Sequence, residues 1–269
     1  MSDDITRRTT STHSIEGAQV VCDVVGEGTP VVLVHGWACR RRDWDPIVEI
    51  LADRYRLILI DLPWHGDSVA PMSDWPIARL GALVDQVARA LDAPSAPIVG
   101  HSLGAAVALE ASLAGTPRPV IGLDGLTFLH MYPRIDPEQA ERTLRPYLEN
   151  FTDAVAGLCQ RSCPTPIDAT LLKTIIDEMS ATDPQAGPEL LRQLLVWDMD
   201  EALDRAAVAG IPITVFAAQS LLSEGVIARY GSRFSIVPVA TGGHFFFREF
   251  PHDTAGCIDA AVRDLSAAV

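Results

Sequence analysis

Gly100-His101-Ser102-Leu103-Gly104 stands between two apolar runs, Ala96-Pro97-Ile98-Val99 before it and Ala105-Ala106-Val107-Ala108-Leu109 after it. That order reads as strand, sharp turn, helix. In it a G-x-S-x-G pentapeptide forms a nucleophile elbow, a turn tight enough to lift the serine clear of the backbone. The glycines let neighbouring backbone pass where a Cβ would clash. Ser102 then sits at a helix N-terminus, whose unpaired N–H groups favour developing negative charge. The plainer reading is a serine in an ordinary strand-to-helix turn, so the rest of the chain has to decide.

On both sides of the elbow the sequence alternates strands and helices. Thr9–Ile15 and Ala18–Val25 read as an opening hairpin around Glu16-Gly17. Val31–Val34 and Leu57–Ile60 are continuous apolar runs, as expected of parallel strands buried on both faces. Trp44–Ala52 has helical spacing, as does the series Ile77, Leu80, Leu83, Val84, Val87, Leu91. Pro119–Leu123 is a strand that delivers Asp124. From Gly125 to about Ala207 the strand signal stops, and helix starts are expected at Asp136-Pro137, at Asp168 and near Pro188-Glu189. Alternation then resumes with strands at Ile211–Ala217 and Phe234–Val239, a short helix at Leu222–Tyr230, and a closing helix carrying Ile258, Ala261, Val262 and Leu265. This predicts an α/β fold with a doubly wound, mostly parallel sheet. It divides into a core over 1–125, a helical cap insertion over 126–207 and a second core part over 208–269. Ligands bind such sheets outside the carboxyl ends of the strands. His35, Asp61, Ser102, Asp124 and His244 all follow strands directly, so all five are expected to face that crevice.

A net charge of −14 argues against a nucleic-acid partner. No apolar run approaches membrane-spanning length, and Met1-Ser-Asp-Asp-Ile-Thr-Arg-Arg lacks the apolar segment of a secretory leader. The cysteines (Cys22, Cys39, Cys159, Cys163, Cys257) are odd in number and scattered. Cys159 and Cys163 have no histidine nearby to complete a metal site. Reduced thiols, a cytoplasmic location, and neither metal nor cofactor are therefore expected.

A serine hydroxyl needs a base within hydrogen-bond reach. His244, in the turn Thr241-Gly242-Gly243 after the last strand, has the freedom to reach Ser102; the alternative is a histidine stacked among Phe245, Phe246 and Phe247. His101 is expected to pack beneath the elbow and His35 to hold its own turn. His13, His65, His130 and His252 have no supporting context. Acyl transfer also needs oxyanion donors. The N–H of Leu103, just after the serine, and that of Trp37, just after the first buried strand, fit that role. Trp37 is then a pocket wall. Phe128, Met131 and Trp197 in the insertion, with Phe245, are the candidate substrate contacts, although Phe128, Met131 and Trp197 equally suit packing of the insertion onto the sheet.

Val34-His35-Gly36-Trp37, Asp61-Leu62-Pro63-Trp64-His65-Gly66-Asp67-Ser68, Gly100-His101-Ser102-Leu103-Gly104 and Gly243-His244-Phe245 together resemble the α/β-hydrolase-fold enzymes with a helical cap. The resemblance runs across nearly the whole chain in the family's order. It implies Ser102 as nucleophile, His244 as base, and the Trp37 and Leu103 amides as oxyanion hole. The chain departs from the family at the acid: the stretch Ala217-Ala218-Gln219-Ser220, beyond the cap, carries no carboxylate where most members have aspartate. A minority place the acid one strand earlier, where Asp124 stands. Asp124 is thus either the acid that orients His244 or a structural cap on its own turn. Glu224 is the poorer candidate. Trp64 replaces a usual glycine and is expected to narrow the cleft entrance.

The leading expectation is hydrolysis of a carboxylic ester, thioester or lactone through an acyl-Ser102 intermediate, on a hydrophobic or aromatic small molecule. A second comes from similarity to cofactor-independent dioxygenases of this fold, which open 3-hydroxy-4-quinolones with a His–Asp dyad. There, or in an elimination, His244 and Asp124 do the work and Ser102 only hydrogen-bonds substrate. A ligand receptor without catalysis is the third, opposed by the intact serine, histidine and oxyanion turn.

Overall fold

A computed structural model describes residues 8–72, 74–127 and 135–267. Eight strands form one sheet in the order β1-β2-β4-β3-β5-β6-β7-β8. The hairpin of β1 (Thr9–Ile15) and β2 (Ala18–Val25) is antiparallel and joins β4 (Tyr55–Ile60) antiparallel. From β4 onward every pairing is parallel, through β3 (Thr29–Val34), β5 (Ile98–His101), β6 (Val120–Leu123), β7 (Ile213–Ala218) and β8 (Ser235–Val239). Val31–Val34 and Leu57–Ile60 are buried throughout, as uninterrupted apolar runs in a doubly covered sheet must be. β8 is the outer strand, half-exposed, and tolerates Pro238 because an edge strand can spare one N–H.

Helices α1 (Asp45–Leu51), α2 (Ile77–Ala90) and α3 (Leu103–Ala114) cover the first half. α3 is buried from Leu103 to Ser112, the burial of a helix apolar on all sides. Its small residues let it sit directly on the strands: a Cβ on Gly104 would stand 2.3 Å from the Val34 carbonyl oxygen.

Among the described residues between β6 and β7 lie five helices: α4 (Pro137–Glu149), α5 (Phe151–Ser162), α6 (Ala169–Ser180), α7 (Ala186–Leu195) and α8 (Met199–Ala209). Asp136 and Asp168 cap α4 and α6 through the N–H groups of Gln139 and Leu171. Two boundaries differ from the sequence expectation. Asn150 ends α4 and at once caps α5, a corner with no loop to mark it, and Asp198 caps α8. α9 (Glu224–Tyr230), the one-turn α10 (Phe246–Glu249) and α11 (Pro251–Ala267) complete the chain.

Candidate active site

The five strand-end residues do come to the carboxyl edge of the sheet, but they do not share one task. Ser102 has φ 53° and ψ −119°, a conformation that L-residues rarely adopt and that persists only where surroundings enforce it. The enforcement is visible in the two elbow glycines. A Cβ on Gly100 would stand 2.2 Å from the Gly104 carbonyl oxygen, so the turn closes only because Gly100 lacks a side chain, while Gly104 lets the helix start pass against β3. Leu103 is the first residue of α3, which leaves its N–H outside the helical ladder. The turn after β3 passes close by: a Cβ on Gly36 would meet His101 Nδ1 at 2.8 Å and Ser102 Cβ at 3.3 Å.

His244 follows β8, and its Nδ1 lies 2.6 Å from Asp124 Oδ2. Asp124 Oδ1 accepts the N–H of Ala218 at 2.9 Å. The β7 turn that lacks a carboxylate thus supports the carboxylate that comes from β6. Asp124 is 1% exposed and His244 5%. Burial raises the Asp124 carboxyl above its ordinary range, opposed by the Ala218 N–H, and burial holds the His244 imidazole neutral by lowering its pKa. The backbone of the histidine turn is held on every side. Ser220 Oγ donates to the Gly242 carbonyl, Gly243 N–H donates to Glu249, His244 N–H donates to the Ser162 carbonyl at the end of α5, and His101 Nε2–H donates to the His244 carbonyl. His101 packs beneath the elbow as expected, its ring centroid 4.6 Å from that of His244. Glu224 is exposed on α9.

Ser102 and His244 open into a cavity of about 210 Å³. Trp37 and Phe245 form its core-side wall, and Tyr147, Leu158, Met179, Leu191, Leu194 and Leu195 come from α4 to α7. The Trp37 indole donates to the Gly187 carbonyl at 2.7 Å and meets Tyr147 edge-on, so the wall is fixed by the helices above it. These helix residues could not be picked from sequence, because an apolar stripe looks the same whether it lines a cavity or fills a core. Of the expected contacts, Phe128 and Met131 lie outside the described residues, as does His130. Trp197 does not line this cavity; its indole donates to Glu110 on α3, because a buried carboxylate there needs donors. Trp64 also lies elsewhere, lining a separate, more polar recess of about 260 Å³ with Arg40, Asp43 and Glu178.

His35, Asp61 and Asp124 do not line the cavity either; of the five, Ser102 and His244 do, which corrects the expectation that all five face it. Asp61 is fully buried and accepts from the Arg41 and Asp67 N–H groups and from the Arg41 guanidinium, which also pairs with Asp23 and Asp67. His35 accepts the N–H of Leu62. His65, which has no signal of its own in the sequence, accepts the N–H of Ala38 just beyond Trp37.

Residues 31–256 match the model of the Alpha/beta hydrolase family. The chain belongs to this family. A pimeloyl-(acyl-carrier protein) methyl ester esterase of Methylococcus capsulatus is 32% identical over 237 residues, covering 81% of each chain. One of the same name from Xanthomonas campestris is 40% identical over 116 residues, 38% of this chain and 43% of that one. Among solved structures, an esterase from Exiguobacterium antarcticum superposes with a TM-score of 0.82 at 15% identity, covering 96% of this α/β hydrolase and 100% of that chain. A thermophilic esterase from Thermogutta terrifontis gives 0.75 at 18% identity over 96% and 98%. At such identities these two speak for the fold alone. Among the described residues no helix of this hydrolase is long and apolar enough to cross a membrane.

Proposed function

We propose that this α/β hydrolase cleaves a carboxylic ester through an acyl-Ser102 intermediate, with His244 as base and Asp124 as acid. The observation that carries the reading is the 2.6 Å contact of His244 Nδ1 with Asp124 Oδ2, on a histidine that shares one apolar cavity with Ser102. Asp124 keeps the proton on Nδ1, which frees Nε2 to take the Ser102 hydroxyl proton as Oγ attacks the ester carbonyl. The oxyanion that forms accepts the N–H groups of Leu103 and Trp37. Collapse breaks the C–O bond, and the alcohol leaves with the proton from His244. Water, deprotonated by His244, then attacks the acyl carbon, and Ser102 leaves with that proton as the carboxylic acid is released.

The helices α4 to α7, in the segment 126–207, act as the cap that shields the acyl-enzyme, over a core of 1–125 and 208–269. The mostly apolar cavity suits a hydrophobic or aromatic acyl group. The esterase names of the relatives favour an ester over a thioester or lactone. We infer a reducing, cytoplasmic setting from the five cysteines, all free thiols.

The test is labelling of Ser102 by a fluorophosphonate, read by intact mass, in the wild type and in Asp124→Asn. Fast labelling that collapses in the variant is the expected result. A folded wild type that does not label would end the acyl-enzyme reading. Because the carboxylate comes from β6, dyad-driven ring cleavage would then be the next activity to assay, by oxygen uptake on a 3-hydroxy-4-quinolone.

A further inference from the structure

Glu178 stands in the last turn of α6, one residue before Met179, whose side chain walls the cavity. Its two carboxylate oxygens go to two different segments of the core, the turn that follows β3 and the one-turn helix α10. Oε1 accepts from Arg40 Nη2 at 2.6 Å, and Oε2 accepts from Arg248 Nη1 at 2.6 Å. Arg40 lies three residues beyond Trp37 and Arg248 four beyond His244, so one side chain joins the helical insertion to the turn carrying an oxyanion donor and to the turn carrying the base.

The core already links these turns through a second carboxylate. Asp43, almost fully buried, accepts the Arg40 N–H at 3.0 Å and lies 3.3 Å from Arg248 Nη1. Loss of Glu178 would therefore leave the core folded and these two segments joined through Asp43 alone, each without the tie that Glu178 gives it to the insertion. Two further contacts hold α6 and α7 over the same turn: Thr182 Oγ1 donates to the Ala38 carbonyl and Trp37 Nε1 to the Gly187 carbonyl. Both are single neutral hydrogen bonds. Glu178 makes the charge-assisted pair, which is stronger. Glu178 is 24% exposed, Arg248 14% and Arg40 45%, so the Arg248 arm is the better buried and salt weakens both.

We infer that Glu178 is a positioning residue for the reaction, a two-armed clamp that sets the insertion, and with it the Met179 wall, against the oxyanion turn and the histidine turn at once. The inference rests on the ester-hydrolase reading for its kinetic consequences but not for its structural one. Glu178 touches neither substrate nor the reacting atoms; it acts through Arg40 and Arg248.

The experiment compares the wild type, Glu178→Gln and Glu178→Asp by amide hydrogen exchange and by kinetics on a chromogenic ester. Glu178→Gln is expected to raise exchange jointly in residues 36–41 and 242–248, to raise KM about fivefold, and to lower kcat less, while the thermal midpoint barely moves. Raising salt from low to about 0.5 M should move the wild type's KM part of the way toward that of Glu178→Gln and change the variant's KM less, because the variant lacks the Glu178 pairs that salt screens. Glu178→Asp should recover part of the KM. Unchanged exchange in both turns, with an unchanged salt response, would overturn the clamp. A wild type that fails to turn over esters would count against the hydrolase reading instead, and the exchange data would still decide the clamp.

Discussion

His35 and His65 stand with ring centroids 4.9 Å apart, and each accepts a backbone N–H from the turn that carries the other. His35 Nε2 receives Leu62 N–H and His65 Nε2 receives Ala38 N–H, both at 3.0 Å, while the Nδ1–H groups donate to the carbonyls of Gly36 and Pro63. The pair cross-braces the turns after β3 and β4, and so fixes the backbone on which Trp37 rides. Only neutral imidazoles can do this, because a protonated Nε2 cannot accept.

Acid should therefore destabilise the fold before it protonates this pair in the native protein. Burial pushes the His35 pKa down to about 4 and that of His65 down to about 3. In the unfolded chain both titrate near about 6.5, so below that pH the unfolded state binds more protons than the native one. The stabilisation is fully present above about pH 6.5 and is lost as pH falls toward about 4. Urea midpoints measured at intervals from pH 8 to 4.5 should fall steadily below about 6.5. His65→Gln, which keeps an acceptor but no proton site, should cost about 1–2 kcal/mol at neutral pH and show a flatter decline.

Asp124→Asn should lower kcat for ester hydrolysis by about 10³-fold or more while the fold persists, because an amide facing Nδ1 no longer enforces the tautomer the base needs. In the wild type the lowered pKa of His244 keeps it unprotonated below the usual histidine range. The acid limb of kcat/KM should then lie below about pH 6.5. A limb above that value would show that His244 is not the titrating base.

Gly36→Ala should act on chemistry more than on binding. The added methyl would press on His101 Nδ1 and Ser102 Cβ and shift the Trp37 N–H away from the serine. A displaced oxyanion donor costs about 10²-fold in kcat. KM within about twofold of wild type, with melting lowered modestly, is the expected accompaniment.

Trp197→Phe should do the reverse. Its indole is bonded to buried Glu110, whose other partner, Arg205, sits at a long 3.4 Å. Leaving that carboxylate short of a donor should cost about 2 kcal/mol in urea unfolding. KM should stay unchanged, since Trp197 does not line the cavity. A raised KM with intact stability would return Trp197 to the substrate contacts.

The sequence by itself determined the sheet, the elbow and the convergence of five turns on one edge. Those follow from local rules: apolar runs of strand length, helical spacing between them, and glycines where backbones must touch, as at Gly100 and Gly104. Its resemblance to the hydrolase family, with no carboxylate in Ala217-Ala218-Gln219-Ser220, pointed to Asp124 as either the acid or a structural cap, ahead of Glu224. Tertiary structure alone decided which strand-end groups line the cavity, which support one that does, and which brace the core. Asp61 and Asp124 both follow buried strands, yet one turns to Arg41 and the other to His244, 120 residues away. The same holds for the two histidines that brace each other, and for the apolar stripes of α4 to α7 that wall the cavity. Each of these depends on which partner arrives across the fold, and partners so distant in the chain leave no trace in the local pattern of either residue.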